Sequence, residues 1–329
     1  MNFITDETLA EFGDISTLSG KASALVEQQK ATWETAATNY ASLRETENRH
    51  FSFGHFNLVC QHNPGRIRSS SADTSAHAIL SRPCFLCETN RPSVQKGILW
   101  EDSFVILTNP YPIFPVHLTI PSLLHLPQQI EGNLENMLQL SRDLGNFTLF
   151  YNGPRCGASA PDHFHFQACP GNTLPVETDL EMMAGKEGRQ LIRHKDLDIK
   201  AIDTDFRRFL LFRSGTPALL VKWMNLAIDL MRKEEAEEPM LNLLSFYRKG
   251  LWNLLLFPRE KQRPSHYYES DPGKLLISPA AVELSGLVIL PRKEDYLKIT
   301  PKQLMEVFEE VSIRKKDFRI IADKLIAFN

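Results

Sequence analysis

The 329-residue chain is longer than the span that one hydrophobic core usually serves, so its length predicts two lobes or one duplicated domain. It carries 37 Lys and Arg against 40 Asp and Glu, a formal charge of −3, which excludes a general electrostatic attraction to nucleic acid or an anionic membrane. An anionic substrate would therefore need a local basic site.

Composition also predicts the compartment. The first residues, Met1 to Glu7, lack a basic segment followed by an apolar one, and no apolar run approaches the length of a membrane span. The cysteines form an odd, sparse set, which argues for reduced thiols and against a disulfide framework: Cys60, Cys84, Cys87, Cys156 and Cys169. The expected location is the cytoplasm, with no membrane or nucleic-acid partner.

In chain order, residues 1–47 are rich in Ala, Glu, Gln and Lys and predict one or two surface helices. Short β-rich runs bounded by Pro, Gly and Asn then predict sheet strands at residues 51–60, 103–107, 117–120 and 147–151. Apolar residues at helical spacing from Leu134 to Leu144, followed by Gly145, predict a helix before the last of these strands.

The second half begins after a charged, irregular stretch, residues 178–208, which predicts an insertion or linker. Thr216-Pro217 predicts the start of a helix, and Thr300-Pro301 with Gln303 forms a capping box for a last helix. Further strands are predicted at residues 253–257, 274–277 and 287–290. The predicted domains are an N-terminal helical segment (1–47), a first lobe (48–200) and a second lobe (201–329).

Residues 163–168 read His-Phe-His-Phe-Gln-Ala. In a strand, the period of two places His163, His165 and Gln167 on one face and the apolar residues towards the core. The preceding turn, Gly157-Ala158-Ser159, allows backbone N–H groups to approach a phosphate closely. A neutral imidazole is a good nucleophile towards phosphorus, which suits a two-step group transfer. Two histidines that merely line a strand are the alternative, and the glycine-rich turn counts against it.

This segment resembles the histidine-triad superfamily, whose motif is His-x-His-x-His in the hydrolases and His-x-His-x-Gln in the transferases. With Gln167 in the third place, it is similar to galactose-1-phosphate uridylyltransferase, GDP-hexose phosphorylases and diadenosine tetraphosphate phosphorylase. The resemblance implies that His165 becomes a covalent nucleotidyl-histidine and that Gln167 hydrogen-bonds phosphate oxygens. Asn152 matches the Asn-x-Gly element of the family and Gly157-x-Ser159 its small-Ser element. Phe164 replaces the proline of the uridylyltransferases and favours the phosphorylases.

Cys84-Phe-Leu-Cys87 has the spacing at which two thiolates bind one zinc ion. A redox pair would need a thioredoxin-like βαβ setting, and two unliganded buried cysteines are a further alternative. Many histidine-triad relatives have Cys-x-x-Cys, a Glu-Asp strand, His-x7-His and then the active-site strand. The resemblance implies a structural zinc bound by Cys84, Cys87, His125 and His163, and it leaves the role of His117 open because Val116 replaces the usual glycine.

Two arginines, Arg66 and Arg68, follow a turn, and a guanidinium group matches phosphate oxygens with two parallel hydrogen bonds. Plain surface charge is the alternative. The stretch resembles the Gln-x-Asn-x-Gly-Arg element of the GDP-hexose phosphorylases, which implies that Arg66 contacts substrate. Residues 285–296 resemble the Arg-Lys-Glu-Asp-Tyr run of the same proteins, with a solvated strand end as the equal alternative.

The resemblance implies an α+β protein with a duplicated antiparallel sheet and helices: a catalytic first lobe and a degenerate second lobe. The predicted function is a nucleotidyltransferase or phosphorylase that acts on a nucleoside diphosphate sugar, with phosphate or a sugar phosphate as acceptor. A dinucleoside polyphosphate phosphorylase is the first alternative, and a non-catalytic nucleotide-binding protein is the second. The sequence leaves a homodimer open.

Overall fold

The computed structural model describes residues 2–67, 76–232 and 238–328. It contains a small sheet and a large one, whose strands in chain order are β1 (Glu47–Ser52), β2 (Asn57–His62), β3 (Gly97–Trp100), β4 (Phe104–Thr108), β5 (Leu118–Pro121), β6 (Phe147–Asn152), β7 (His165–Pro170), β8 (Gly188–His194), β9 (Leu197–Asp203), β10 (Arg208–Ser214), β11 (Leu241–Arg248), β12 (Leu251–Pro258) and β13 (Leu287–Leu290).

The helices in chain order are α1 (Asp6–Ala10), α2 (Leu18–Thr32), α3 (Glu34–Ala41), α4 (Ala76–Leu80), α5 (Leu134–Asp143), α6 (Pro175–Lys186), α7 (Pro217–Met231), α8 (Ala281–Leu284), α9 (Lys293–Lys298), α10 (Pro301–Val311) and α11 (Lys315–Ala327). Among the described residues, no helix combines the length and the apolar composition that crossing a bilayer requires.

The large sheet has ten antiparallel strands in the order β3-β4-β5-β7-β6-β11-β12-β10-β9-β8. Each half repeats one pattern, three strands followed by a helix and a last pair of strands, with α5 in the first half and α7 in the second. From either edge inwards the strand order is the same, and the halves meet where β6 pairs with β11. The predicted α+β class with a duplicated antiparallel sheet is therefore confirmed. β12, the counterpart of β7, contains no histidine.

The two faces of the large sheet bury separate cores. Phe164, Phe166 and Ala168 belong to one core, together with residues of α2, α5, α7 and α11. On the opposite face, Phe150 and Cys169 belong to a second core that includes residues of the small sheet, α6 and α10. Because side chains alternate along β7, His165 and Gln167 lie on this second face, under the small sheet. The small sheet joins both parts of the chain, since β2 pairs with β1 and, in parallel, with β13.

Several predicted elements differ in the structure. Residues 51–60 form parts of a hairpin instead of one strand, because Gly54 takes a left-handed φ of 75° between β1 and β2. Residues 1–47 are not confined to the surface, since α2 buries Leu25 and Val26 against the large sheet. Residues 274–277 form no strand, and a further helix, α11, follows the helix predicted to be last.

The stretch 178–208 is regular and not a linker, because it forms most of α6 and all of β8 and β9. β8 is the edge strand of the large sheet, so most of its side chains are exposed and its composition resembles that of a loop. The domain bounds 1–47, 48–200 and 201–329 stay a prediction. Residue 200 lies inside β9, whereas the repeat in the topology divides the chain between β7 and β8.

A buried carboxylate joins the two halves near the β6–β11 contact. Glu238 accepts hydrogen bonds from the Tyr151 hydroxyl at 2.6 Å and from the Ile130 N–H at 2.5 Å. Burial raises the pKa of Glu238 to about 7, although both hydrogen bonds and the Arg232 charge act to lower it.

Glu238 therefore makes the stability of the fold depend on pH. Its pKa is about 7 in the fold against an ordinary value of 4.5, so folding favours the protonated acid and the free energy of unfolding falls as pH rises between these values. We expect wild type to lose about 2 kcal/mol more than Glu238→Gln between pH 5 and pH 8, as measured by urea unfolding. Equal pH slopes for the two proteins would contradict this assignment.

Candidate functional site

His165 begins β7 with a fixed tautomer. Its Nδ1 lies 2.8 Å from the carbonyl oxygen of His163, which can only accept, so Nδ1 carries the proton and Nε2 keeps its lone pair. Burial lowers the pKa of His165 to about 4, which keeps the ring neutral at neutral pH. Among the described residues, Nε2 has no hydrogen-bond partner. The sequence-predicted nucleophile therefore presents a free nitrogen lone pair.

The backbone of His165 is held by Gln128, a residue for which the sequence analysis predicts no role. The hydrogen-bonded β6–β7 ladder ends at the pair Phe150 and Gln167. Beyond it, the buried Gln128 carboxamide accepts from the His165 N–H at 2.8 Å and donates to the His165 and Asn152 carbonyls, each at 3.0 Å. Gln128 thus takes the place of a strand partner where β6 and β7 cease to pair.

Gln167 lies two residues after His165 on the same face and is partly exposed. Its Oε1 lies 3.1 Å from Nε2 of the fully buried His117. His117 Nδ1 in turn accepts a hydrogen bond from the Ile113 N–H at 3.1 Å. The structure thus brings His117, whose role the sequence left open, into contact with the predicted phosphate-binding glutamine.

Asn152, at the end of β6, occupies the position on that face next to His165. Its Oδ1 accepts from the Asn242 side chain at 2.8 Å and from the Ala281 N–H at 2.9 Å. These two bonds use the acceptor capacity of the amide oxygen, so the Nδ2 group is what remains for a ligand. The second lobe contributes both donors and so orients a side chain of the first lobe.

The loop 157–159 leads towards β7. Within the described residues, the N–H groups of Gly157, Ala158 and Ser159 have no protein hydrogen-bond partner. The Ser159 carbonyl is fixed by Arg82 at 3.3 Å. A run of adjacent backbone N–H groups without protein partners can bind an anion.

Gly157 is required in this loop for two reasons. It has a φ of 98°, and a Cβ added to it would stand 2.5 Å from the Cβ of Ala280 in the second lobe. We expect Gly157→Ala to destabilise the fold by about 2–4 kcal/mol, because backbone strain and the clash add. Gly132→Ala is the matched control: Gly132 has a φ of 76° and nothing within 4 Å of the added carbon, so only the strain of about 1 kcal/mol applies. Thermal unfolding of both variants checks the difference, and equal losses would contradict the proposed clash.

Of the two predicted arginines, Arg66 ends a short helix directly after β2, and Arg68 lies outside the described residues. Arg66 Nη1 donates to the Tyr111 carbonyl at 2.6 Å. Burial lowers the pKa of Arg66 to about 10, with Glu283 acting in the opposite direction, so the group stays charged at neutral pH. Burial lowers the pKa of His117 to about 3, and the positive charge of Arg66 is the second cause of this shift.

The four predicted metal ligands lie together. The donor atoms of Cys84, Cys87, His125 and His163 are all within 4.8 Å of one another. Cys84 Sγ is 3.3 Å from His163 Nδ1, and Cys87 Sγ is 3.1 Å from His125 Nδ1 and 3.5 Å from His163 Nδ1. Ordinary Zn–S and Zn–N bonds at a tetrahedral angle would place sulfur and nitrogen about 3.5 Å apart. The set therefore fits a tetrahedral ion such as zinc.

The surroundings of the cluster leave the ligand atoms free to bind. His163 Nε2 lies 2.8 Å from the Ser122 carbonyl, so Nε2 carries the proton and Nδ1 keeps the lone pair. Asp162 lies 3.8 Å from His125 Nε2 and pairs with Arg82 at 3.1 Å. His163 and His165 are two residues apart, so the cluster lies directly before the strand that carries the candidate nucleophile.

The Arg-Lys-Glu-Asp segment of the second lobe is not a wholly solvated strand end, because Asp295 is fully buried. Its carboxylate accepts from the Leu276 N–H at 2.8 Å and pairs with Lys298 at 3.1 Å and Arg292 at 3.2 Å. Arg292 also pairs with Asp271 at 2.6 Å. The segment therefore holds the loop 271–276 in place.

Comparison with known proteins agrees with this architecture. Residues 25–170 match a family described as a domain of unknown function, DUF4922, and residues 230–328 match one described as GDPGP1-like, C-terminal domain. No curated protein matches the chain.

Among solved structures, yeast Ap4A phosphorylase Apa2 has a similar fold, with a TM-score of 0.58 at 13% identity over 85% of this chain and 96% of that one. Its complex with AMP gives 0.55 at 14% identity over 85% and 95%. Its complex with Ap4A gives 0.53 at 12% identity over 86% and 97%. The chain therefore has the fold of a yeast Ap4A phosphorylase, and its C-terminal part matches a GDPGP1-like domain, which agrees with the resemblance to phosphorylases stated from its His-x-His-x-Gln strand.

Proposed function

We propose that the protein is a phosphorylase that transfers nucleotidyl groups, in which His165 attacks the α-phosphorus of a nucleoside diphosphate sugar. One observation carries this proposal: the unprotonated Nε2 of His165 lies on a sheet face where Asn152 and Gln167 have their amide oxygens occupied and their N–H donors free. A nucleophile among donors fits an electrophile that bears negative oxygens.

The donors come from separate elements. In the two side-chain amides, the oxygen is already occupied by a hydrogen bond within the protein. Asn152 is left with its Nδ2 group because Oδ1 binds Asn242 and Ala281. Gln167 is left with its Nε2 group because Oε1 contacts His117. The unpaired N–H groups of residues 157–159 and the Arg66 charge add to this set. Such a site favours a phosphate and disfavours a cation.

The proposed reaction has two displacements at the same phosphorus. First, His165 Nε2 forms a P–N bond while the P–O bond to the sugar phosphate breaks, and a sugar 1-phosphate leaves. Then an oxygen of inorganic phosphate attacks, the P–N bond breaks, and a nucleoside diphosphate is released. The ring becomes cationic in the intermediate, and the Nδ1–H bond to the His163 carbonyl stabilises that charge. A sugar phosphate acceptor in place of phosphate would give exchange.

We further propose that Cys84, Cys87, His125 and His163 bind zinc. Four protein ligands close a tetrahedral site, so a bound zinc would stabilise the fold without activating water. Because His163 directly precedes β7, its three fellow ligands would also hold the start of β7 in place.

The substrate class rests on two similarities. The Gln-x-Asn-x-Gly-Arg element around Arg66 and the match to a GDPGP1-like C-terminal domain favour a nucleoside diphosphate sugar. The fold of an Ap4A phosphorylase solved with AMP and with Ap4A favours a dinucleoside polyphosphate as second candidate. Both substrates would yield a nucleoside diphosphate with phosphate as acceptor, so the other product separates them.

The decisive experiment incubates the purified protein and inorganic phosphate with GDP-, UDP- and ADP-hexoses and with Ap4A. We expect a nucleoside diphosphate together with a hexose 1-phosphate. A nucleoside triphosphate, released from Ap4A alone, would select the second candidate. Mass spectrometry without phosphate should detect an acid-labile nucleotidyl adduct on His165. Nucleotide binding without adduct or product would instead identify a non-catalytic nucleotide-binding protein.

A further inference from the structure

The contact between His117 and Gln167 decides which end of the glutamine amide faces the substrate. His117 is fully buried, 50 residues before Gln167 in the chain, and its ring packs between Phe114 at 5.3 Å and Phe150 at 6.1 Å. On the backbone side, the Tyr40 hydroxyl contacts the His117 carbonyl at 3.1 Å. The ring therefore lies within a packed core.

The tautomer of His117 follows from its hydrogen bond with the Ile113 N–H, because the donor of that bond is known. A backbone N–H can only donate, so the Ile113 N–H requires an unprotonated Nδ1 on His117. A neutral ring must then carry its proton on Nε2. That N–H points to Gln167 at 3.1 Å, and only the amide oxygen can accept it.

We infer that His117 is a positioning residue, which holds Oε1 of Gln167 so that its Nε2 donors face the phosphate transferred by His165. This inference rests on the proposed function and adds a residue that orients a side chain of the same site. Gln167 is partly exposed and Nε2 has no partner within the described part of the chain, so it is the end of the amide that a ligand can reach. Were the amide rotated by 180°, its oxygen would face a phosphate oxygen and repel it.

Two substitutions separate positioning from simple core packing. His117→Asn keeps an acceptor near Nδ1 for the Ile113 N–H, but its side chain is too short to reach Gln167. His117→Gln is long enough to place an N–H at the position of Nε2. We expect His117→Asn to lower kcat about 10- to 100-fold with KM changed less than threefold, since the lost contact acts in the transition state. His117→Gln should retain at least about a third of kcat.

The same pair is then measured in a Gln167→Ala background, which has no amide to orient. If His117 acts through Gln167, the difference in kcat between the Asn and Gln variants disappears there. A difference of tenfold or more that persists would overturn the inference, as would equal kcat values for the two single variants. Melting temperatures of all four proteins show whether a loss of kcat comes from unfolding.

A second measurement does not depend on activity. Nitrogen-15 NMR of the wild-type protein should show the His117 ring protonated on Nε2 and not on Nδ1, with the signal identified by its absence in His117→Asn. The opposite tautomer would overturn the inference even if the enzyme is active. If the tautomer is as expected but no nucleotide substrate turns over, the proposed function fails and the positioning role fails with it. If turnover requires His165 and the Asn and Gln variants behave alike, the positioning role alone fails.

Discussion

Replacing His165 by Asn is expected to lower turnover of the best nucleotide substrate by at least about 10⁴-fold, because the substitution removes the nitrogen that forms the P–N bond. The variant should also form no nucleotidyl adduct. Affinity for the nucleotide should change less than about tenfold, since the donors of Asn152, Gln167 and residues 157–159 stay in place. Single-turnover kinetics and calorimetric titration measure the two effects separately.

The control for this variant is His50→Asn, which makes the same substitution at an exposed position of β1 outside the site. It should keep wild-type turnover and the wild-type adduct. Residual activity of His165→Asn above about a hundredth of wild type would exclude a covalent mechanism at this residue, because a transfer that survives without the nucleophile does not pass through it.

The parts of the site that lie within one segment could be predicted from the sequence. The alternation predicted for residues 163–168 correctly placed His165 and Gln167 on one face, because the period of a strand is fixed by its backbone, whereas His163 precedes the strand. The capping box at Thr300 is confirmed by the hydrogen bonds between Thr300 and Gln303 in both directions. The helix predicted from Leu134 is α5, and Gly145 follows it with a left-handed φ of 51°.

The parts that depend on contacts between distant segments could not be predicted. Gln128 holds the backbone of His165 from 37 residues away, and a glutamine in an irregular segment gives no pattern that indicates this. His117 reads as one more residue of a strand, and its role becomes visible once Ile113 and Gln167 are seen on either side of the ring. The four metal ligands are the exception: the resemblance predicted them, because two cysteines and two histidines in a fixed order form a pattern that can be recognised without the fold.

Replacing a cysteine of the Cys/His cluster is expected to lower the free energy of unfolding more than replacing any cysteine outside it. Cys84→Ala should abolish stoichiometric zinc, measured by elemental analysis of the purified protein. It should also lower the free energy of unfolding by on the order of 3 kcal/mol or more, because binding energy of a structural metal is folding energy. Cys60→Ala is the matched control, since Cys60 is a fully buried free cysteine of β2 outside the cluster. It should keep one zinc and lose about 1 kcal/mol.

The same variant tests whether the cluster and the chemistry are coupled through β7. His163 provides a ligand atom by Nδ1 and, through its carbonyl, the hydrogen bond that fixes the His165 tautomer. Loss of the metal should therefore release the His163 backbone and lower kcat about 10- to 100-fold under conditions where Cys84→Ala remains folded. A folded, zinc-free variant with wild-type kcat would show that the carbonyl holds His165 without the cluster. Zinc retained at one equivalent would instead show that the cluster is not the metal site.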